Sequence, residues 1–323
     1  MISTKNKLFI VVVFVLCIII AGLFLFDRYQ VKQLSKQYQS DQPVSTIESS
    51  ATTTQKSEPV YCVGDSLTLG AANQTSYPEY LKQNIDNSVT TIGDANINSA
   101  ALAIKLGSIS IYVNNITIPA DTTDVAIALL DDKGAAQNAI IQSQTSIEDC
   151  SISGIEGTIT YNAQSKALTF KRKTKGESVK ITQLTQVQVT KPEIKENNIV
   201  ILYTGSYEQS VGGSLINYQK EIIKAFNTDK YIVVSLTQND RNETNNLLKE
   251  TYGNHYLDFK SYLLEKGLAD ANITATAKDQ QSLTNKNVPE SLLADSLNGN
   301  SQYNELLAKQ IINKMKELGY INA

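Results

Sequence analysis

The chain has no tryptophan, one histidine, three cysteines and two methionines among its 323 residues, and each scarcity closes a class of function. A single imidazole, His255, cannot build a multi-histidine metal centre. Cys17, Cys62 and Cys150 are too few for a disulfide scaffold or a cysteine-rich metal site. Basic residues do not exceed acidic ones, 29 against 32, so the net charge of −3 offers no field to hold phosphates and no nucleic acid is expected as a partner. Neither a glycine-rich phosphate loop nor an internal repeat is found, so the sequence implies no cofactor and no metal. What is present is ordinary for a folded body: 41% hydrophobic and 19% charged residues, enough to bury a core.

The one long apolar run lies near the start. Residues 8–26 are nineteen uninterrupted apolar positions preceded by Lys5 and Lys7, long enough to cross a bilayer core of about 30 Å. The run ends in Phe-Leu-Phe-Asp-Arg with no small-x-small cleavage site, which favours an uncleaved signal anchor over a removed signal peptide. The expected layout is a cytoplasmic tail at 1–7, a single-pass transmembrane helix at 8–26 and a Ser-, Thr- and Gln-rich tether at 27–58, with the body outside the cell membrane. Outside the cell Cys62 and Cys150 could bridge, although the place of Cys62 in an apolar strand favours a buried free thiol.

After the tether, the pattern alternates as in a doubly wound sheet. Strands are expected at 60–64, 89–92, 198–203, 231–236 and 256–259, and helices at 77–85, 97–106, 215–226, 243–252 and 302–318. Between 109 and 191 the period changes to short β segments, at 110–118, 125–130, 152–161, 167–171 and 179–189, punctuated by Pro119, Gly134, Gly154, Gly157 and Gly176. That stretch reads as an inserted small β-domain, and Asp131-Asp132 within it as a polar turn.

The stretch 60–69 organises the rest. An apolar run of strand formers stops at Gly64-Asp65, and Ser66 follows where a turn must begin, so a hydroxyl is presented at the carboxyl edge of a sheet. Val-Gly-Asp-Ser-Leu-Thr at 63–68 resembles the first block of the SGNH (GDSL) hydrolases, and the C-terminal stretch around Asp295 leading into a last amphipathic helix resembles membrane-attached or secreted bacterial members with a β-rich insertion. The resemblance implies a flavodoxin-like three-layer α/β/α domain with a parallel sheet, formed by 59–108 and 192–323 and interrupted by 109–191. It also implies serine esterase chemistry with Ser66 as nucleophile.

The same resemblance assigns the remaining roles, and here the chain departs from the pattern. A serine needs a base to take its proton, and the family supplies Asp-x-x-His before the last helix. Asp295 matches, but Asn298 stands where the histidine belongs, and an amide is no base near neutral pH. His255 precedes its strand whereas Ser66 follows its own, which puts the imidazole at the opposite rim. For the oxyanion, Asn96 stands where the family has a glycine N–H, and Gly205-Ser206-Tyr207 stands where it has Gly-x-Asn. Losing a catalytic base costs about 10⁴ to 10⁶ in rate, and one oxyanion donor about 10² to 10³.

Two readings follow. One is a membrane-anchored, cell-surface esterase of weak activity, acting on acyl or acetyl esters of cell-envelope glycans, with Ser66, Asp295 and Asn298 at the catalytic positions and Asn96, Gly205 and Tyr207 near the oxyanion. The other is a pseudoenzyme that keeps the fold to bind glycan, an acylated small molecule or a protein partner, in which case Ser66 is a turn serine capping the next segment.

Overall fold

A computed structural model describes residues 57–208 and 213–322; the expected tail, anchor and most of the tether lie outside these. The first strand, β1 (Val60–Gly64), is buried at every position, as expected of an apolar run covered on both faces. It pairs in parallel with β2 (Val89–Gly93) on one side and β11 (Ile199–Tyr203) on the other. Two more parallel strands, β12 (Tyr231–Val234) and β13 (Tyr256–Leu257), complete a sheet of order β13-β12-β11-β1-β2. Counted within this sheet alone the order is 2-1-3-4-5, the flavodoxin-like arrangement.

Alternation along the strands divides the core in two. Tyr61, Val63, Val200 and Leu202 face a cluster shared with α3 (Ser99–Lys105), α5 (Gly213–Ala225) and α6 (Asn242–Tyr252). Val60, Cys62, Ile199 and Ile201 face the other side, covered by α1 (Ser66–Leu69), α2 (Tyr77–Asn84) and the last helix, α10 (Ser301–Glu317), through Leu81, Leu307 and Ile311. Cys62 and Cys150 are both buried free thiols, and burial raises each thiol to about 12, which leaves them inert.

Between α3 and β11 the chain builds β3 (Ile111–Val113), β4 (Ile116–Ile118), β5 (Val125–Ile127), a short α4 (Ala139–Gln142), β6 (Ile147–Ile152), β7 (Ile155–Asn162), β8 (Ala167–Arg172), β9 (Val179–Ile181) and β10 (Thr185–Val189). They form a six-stranded antiparallel sheet, β3-β10-β6-β7-β8-β5, and a separate β4-β9 ribbon. This insert has no core of its own apart from the main domain. One apolar cluster runs from α3 into Ile111, Val113, Ile140 and Ile147, and Asp94 joins Lys105 at 3.0 Å to Thr145 at 2.6 Å across the seam. Arg172 is spent entirely on turns, donating to the carbonyls of Pro119, Thr174 and Glu177. Asp131 accepts from the N–H groups of Lys133 and Ala135, the polar turn expected there.

Several boundaries differ from the sequence reading for local reasons. The segment 110–118 is two strands because Asn115 adopts a left-handed φ of 52°, and 179–189 likewise divides into β9 and β10. The fifth parallel strand stops at Leu257 rather than Phe259: Asp258 accepts from Ser261 N–H and starts α7 (Phe259–Tyr262) instead. A π-turn at Leu263–Gly267, α8 (Leu268–Asp270) and α9 (Ala277–Thr284) then carry the chain to the C-terminal loop.

The carboxyl end of β1 tolerates no side chain at Gly64. A Cβ there would lie 2.0 Å from the Tyr203 carbonyl oxygen and 2.3 Å from Thr68 Oγ1, and one on Gly93 would lie 2.1 Å from the Gly64 oxygen. Backbone cannot yield as a side chain can, so Gly64→Ala should cost about 3 kcal/mol or more, seen as a lowered Tm. Gly134→Ala, at φ 79° with open space around it, should cost only the left-handed penalty of about 1–2 kcal/mol. Equal losses for the two would show that the close approach at Gly64 is not limiting.

Candidate functional site

Asp65 and Ser66 sit where β1 ends. Asp65 is completely buried and caps α1, its Oδ1 accepting from Leu67 N–H at 3.0 Å. Its Oδ2 accepts from Ser206 N–H at 3.1 Å, which ties the loop after β11 to the loop after β1. Burial drives its pKa up from 3.8 to about 6, and the donors of Leu67 and Ser206 offset only part of that.

The loop after β11 is shaped by Gly205, whose φ of +125° suits glycine and whose missing side chain leaves room for Leu236 and Leu215. The chain thereby folds back so that the Tyr207 hydroxyl lies 3.1 Å from Ser66 Oγ. Ser66 is only 7% exposed. A phenol in this position is a hydrogen-bond partner and a far weaker base than imidazole. The structure therefore brings Ser66, Gly205 and Tyr207 together.

The other sequence candidates do not join them directly. Asn96 is exposed in the turn between β2 and α3. Asp295 and Asn298 form a closed turn: Asp295 Oδ1 accepts from the N–H groups of Leu297 and Asn298 at 2.8 and 2.7 Å, and Asn298 Nδ2 donates to Oδ1 and Oδ2 at 3.2 and 2.9 Å. Burial alone would raise the Asp295 carboxyl, but the donors from Asn298 and Leu297 outweigh it and hold the group below its usual value, as an anion. Asn298 thus donates to the aspartate much as a histidine N–H would, but its far end is a carbonyl oxygen, Oδ1, buried without a donor. Among the described residues no hydrogen bond links this turn to Ser66.

His255 lies at the other end of the sheet. Its ring stacks on Tyr231, the first residue of β12, with centroids 4.1 Å apart, and its Nδ1 is 3.0 Å from both the Tyr231 carbonyl oxygen and the Tyr320 hydroxyl. Ser66 follows the last residue of β1 in the same parallel sheet, so the imidazole is a strand length away, on the rim expected from the sequence.

Sequence reasoning missed the residues that hold the Tyr207 loop. Gln238 Nε2 donates to the Ser206 carbonyl at 3.1 Å, and Arg241 Nη2 donates to the carbonyls of Ser206 and Glu208 at 3.4 and 3.2 Å. Glu208 Oε1 accepts from Ser99 N–H at 2.6 Å, and Ser99 also shares a short hydroxyl hydrogen bond with Thr204. Behind them Lys260, 4% exposed, donates to the Gln238 carbonyl and to Asn242 Oδ1 at 2.7 and 2.9 Å; burial lowers its pKa, with Asp240 opposing. No local pattern marks these residues, since each acts on a loop distant in sequence. A cavity of about 520 Å³ opens beside this region, between the turn after β12 and the segment 282–297, and Asp295 is on its wall.

No family model matches the chain, and no curated protein matches it. Among solved structures, the chain is similar to a member of the lipolytic protein G-D-S-L family from Veillonella parvula DSM 2008. That similarity is at 13% identity over 80% of this chain and 97% of the other, with a TM-score of 0.41.

The buried carboxyl makes a pH prediction. Because the folded Asp65 binds its proton more tightly than the unfolded one, stability falls as pH rises from about 4 through about 6. The full effect, about 3 kcal/mol, is present above that window. Asp65→Asn should flatten this part of the Tm-versus-pH curve between pH 4 and 7; an unchanged slope would assign it to other groups.

Proposed function

We propose that this protein is an SGNH-type serine ester hydrolase-like protein whose hydrolytic step is crippled, so that its site holds an acyl- or acetyl-bearing envelope ligand better than it turns one over. The observation that carries this reading is the environment of Ser66: a hydroxyl at the carboxyl rim of β1, hydrogen-bonded to Tyr207. Asp295 is occupied by an amide rather than an imidazole. Deprotonation of the serine has no assigned acceptor, and its hydroxyl is already hydrogen-bonded to the Tyr207 phenol with only 7% of the residue exposed. The nineteen-residue apolar run at 8–26 supports tethering to the cell membrane with the body outside. The glycan or partner-binding reading is favoured by one specific feature, the cavity beside Asp295, which does not include Ser66 in its wall.

The test uses the full-length chain in detergent and 4-nitrophenyl acetate. Wild type and Ser66→Ala should hydrolyse it at indistinguishable rates. A wild-type rate that collapses on Ser66→Ala would restore a working esterase. Combining Asn298→His with Tyr207→Asn should raise the rate about 10²-fold or more, in a manner abolished by Ser66→Ala, because a general base contributes about 10² to 10⁴. No gain, in a variant that retains its Tm, would remove the hydrolase-like ancestry of the site as an explanation.

A further inference from the structure

The cavity beside Asp295 has a wall chemistry that narrows its occupant. Its volume, about 520 Å³, falls within the ~300–1,000 Å³ of small-molecule sites. The wall is made of hydroxyls, amides and carboxylates over a small aliphatic floor of Val288, Leu293, Ala294 and Leu297; no lysine, arginine or aromatic ring lines it. Glu290 is paired with Lys278 at 3.4 Å, but Asp295 has no cationic partner among the described residues and no cation lines the wall, so a phosphate or carboxylate ligand would meet an uncompensated negative charge there. A flat aromatic ligand would find nothing to stack on.

The polar groups of the wall also have hydrogen-bonding capacity to spare. The side chains of Asn239, Asn287 and Ser296, all on the wall, make no hydrogen bond to another described residue. Amides donate and accept side by side, and a carboxylate accepts from neighbouring hydroxyls; this is the complement of a ring bearing several hydroxyl groups. The wall is also built in advance. Asp279 accepts from the N–H and hydroxyl of both Thr276 and Ser291, fixing the two ends of the segment that carries Ser282, Asn287 and Glu290. Preorganisation of this kind lowers the entropy lost on binding.

We infer that this cavity binds an uncharged, hydroxyl-rich sugar through Asn239, Asn287, Asp295 and Ser296. The inference rests on the reading of the chain as a holder of glycan-borne ligands and names the part of the ligand that is gripped: the sugar, away from Ser66, by a surface that rejects anions. Ligand recognition and the serine are therefore separable.

The experiment is a saturation-transfer NMR titration of the full-length chain in a polyoxyethylene detergent, which has no sugar headgroup. The probes are maltose and N,N′-diacetylchitobiose, with glucose 6-phosphate as the anionic counterpart. At least one neutral disaccharide should saturate with a Kd of about 1 mM, and the phosphate should not bind. Asn287→Ala should weaken binding about fivefold, the worth of one hydrogen bond. Ser296→Trp, on an exposed position of the wall, should abolish it, and Ser66→Ala should leave it unchanged. Binding of neither disaccharide, equal binding of the phosphate, or binding that survives Ser296→Trp would each overturn the inference. None of these outcomes depends on the ester assay, so sugar binding with failure of the hydrolase-like reading, or the converse, would be seen as such.

Discussion

The Asp65 carboxylate ties together the loops at the carboxyl end of β1 and β11. It lies at the point where β1 and β11 finish side by side, and it receives one N–H from each following loop, Leu67 and Ser206. Two chain segments separated by about 140 residues of sequence, most of them insert, are thereby fixed to one buried group. The cost is the desolvation of an anion, visible in its raised pKa; without both donors that cost would have no offset. Ser66 lies between Asp65 and the Leu67 N–H it holds, and Tyr207 directly follows the Ser206 N–H it holds, so the Ser66–Tyr207 contact is a consequence of this anchor.

Outward from that anchor, the Ser66–Tyr207 pair lies apart from the Asp295–Asn298 turn, and the cavity has Asp295 but not Ser66 in its wall. The buried Ser66 hydroxyl is hydrogen-bonded to the Tyr207 phenol. The acid of the expected pair, Asp295, is exposed and takes its donors from its own turn, Leu297 and Asn298. The space large enough for a ligand lies beyond that acid, along the segment that Asp279 fixes. Serine hydrolysis in general needs a nucleophile, a base and a substrate to share one point within hydrogen-bond reach. Here Ser66 is paired with Tyr207 and Asp295 with Asn298, while Asn298 Oδ1 is left without a donor.

The clamp on the Tyr207 loop shows how stability and site geometry are coupled. Gln238 and Arg241 hold the Ser206 and Glu208 carbonyls, while Glu208 engages the start of α3. These are buried or partly buried polar groups whose partners come from different elements, so each is worth more than a surface contact and each depends on the others being in place. The insert joins the same scaffold through the apolar cluster it shares with α3 and through the Asp94, Lys105 and Thr145 contacts.

Much of the architecture was legible in the linear chain. Apolar runs bounded by glycine or polar residues located the inner strands β1, β11 and β12, since a strand buried on both faces must be apolar throughout, while the half-exposed edge strand β2 was marked by its β-branched residues. The position of His255 before its strand, and of Ser66 after its own, fixed which rim each would occupy, because every strand in the sheet points the same way. The absence of an imidazole beside Asp295 was likewise a matter of spelling, with Asn298 in its place. Local breaks were harder: a left-handed Asn115 and a helix cap at Asp258 ended strands that periodicity alone would continue. Only the folded chain decided that Tyr207 reaches Ser66, that Asn96 does not, that Gln238, Arg241 and Lys260 support the loop, and that a cavity forms beside Asp295. Those outcomes depend on distances between residues far apart in sequence, set by how the loops close over a shared buried carboxylate, and no pattern of neighbouring residues encodes them.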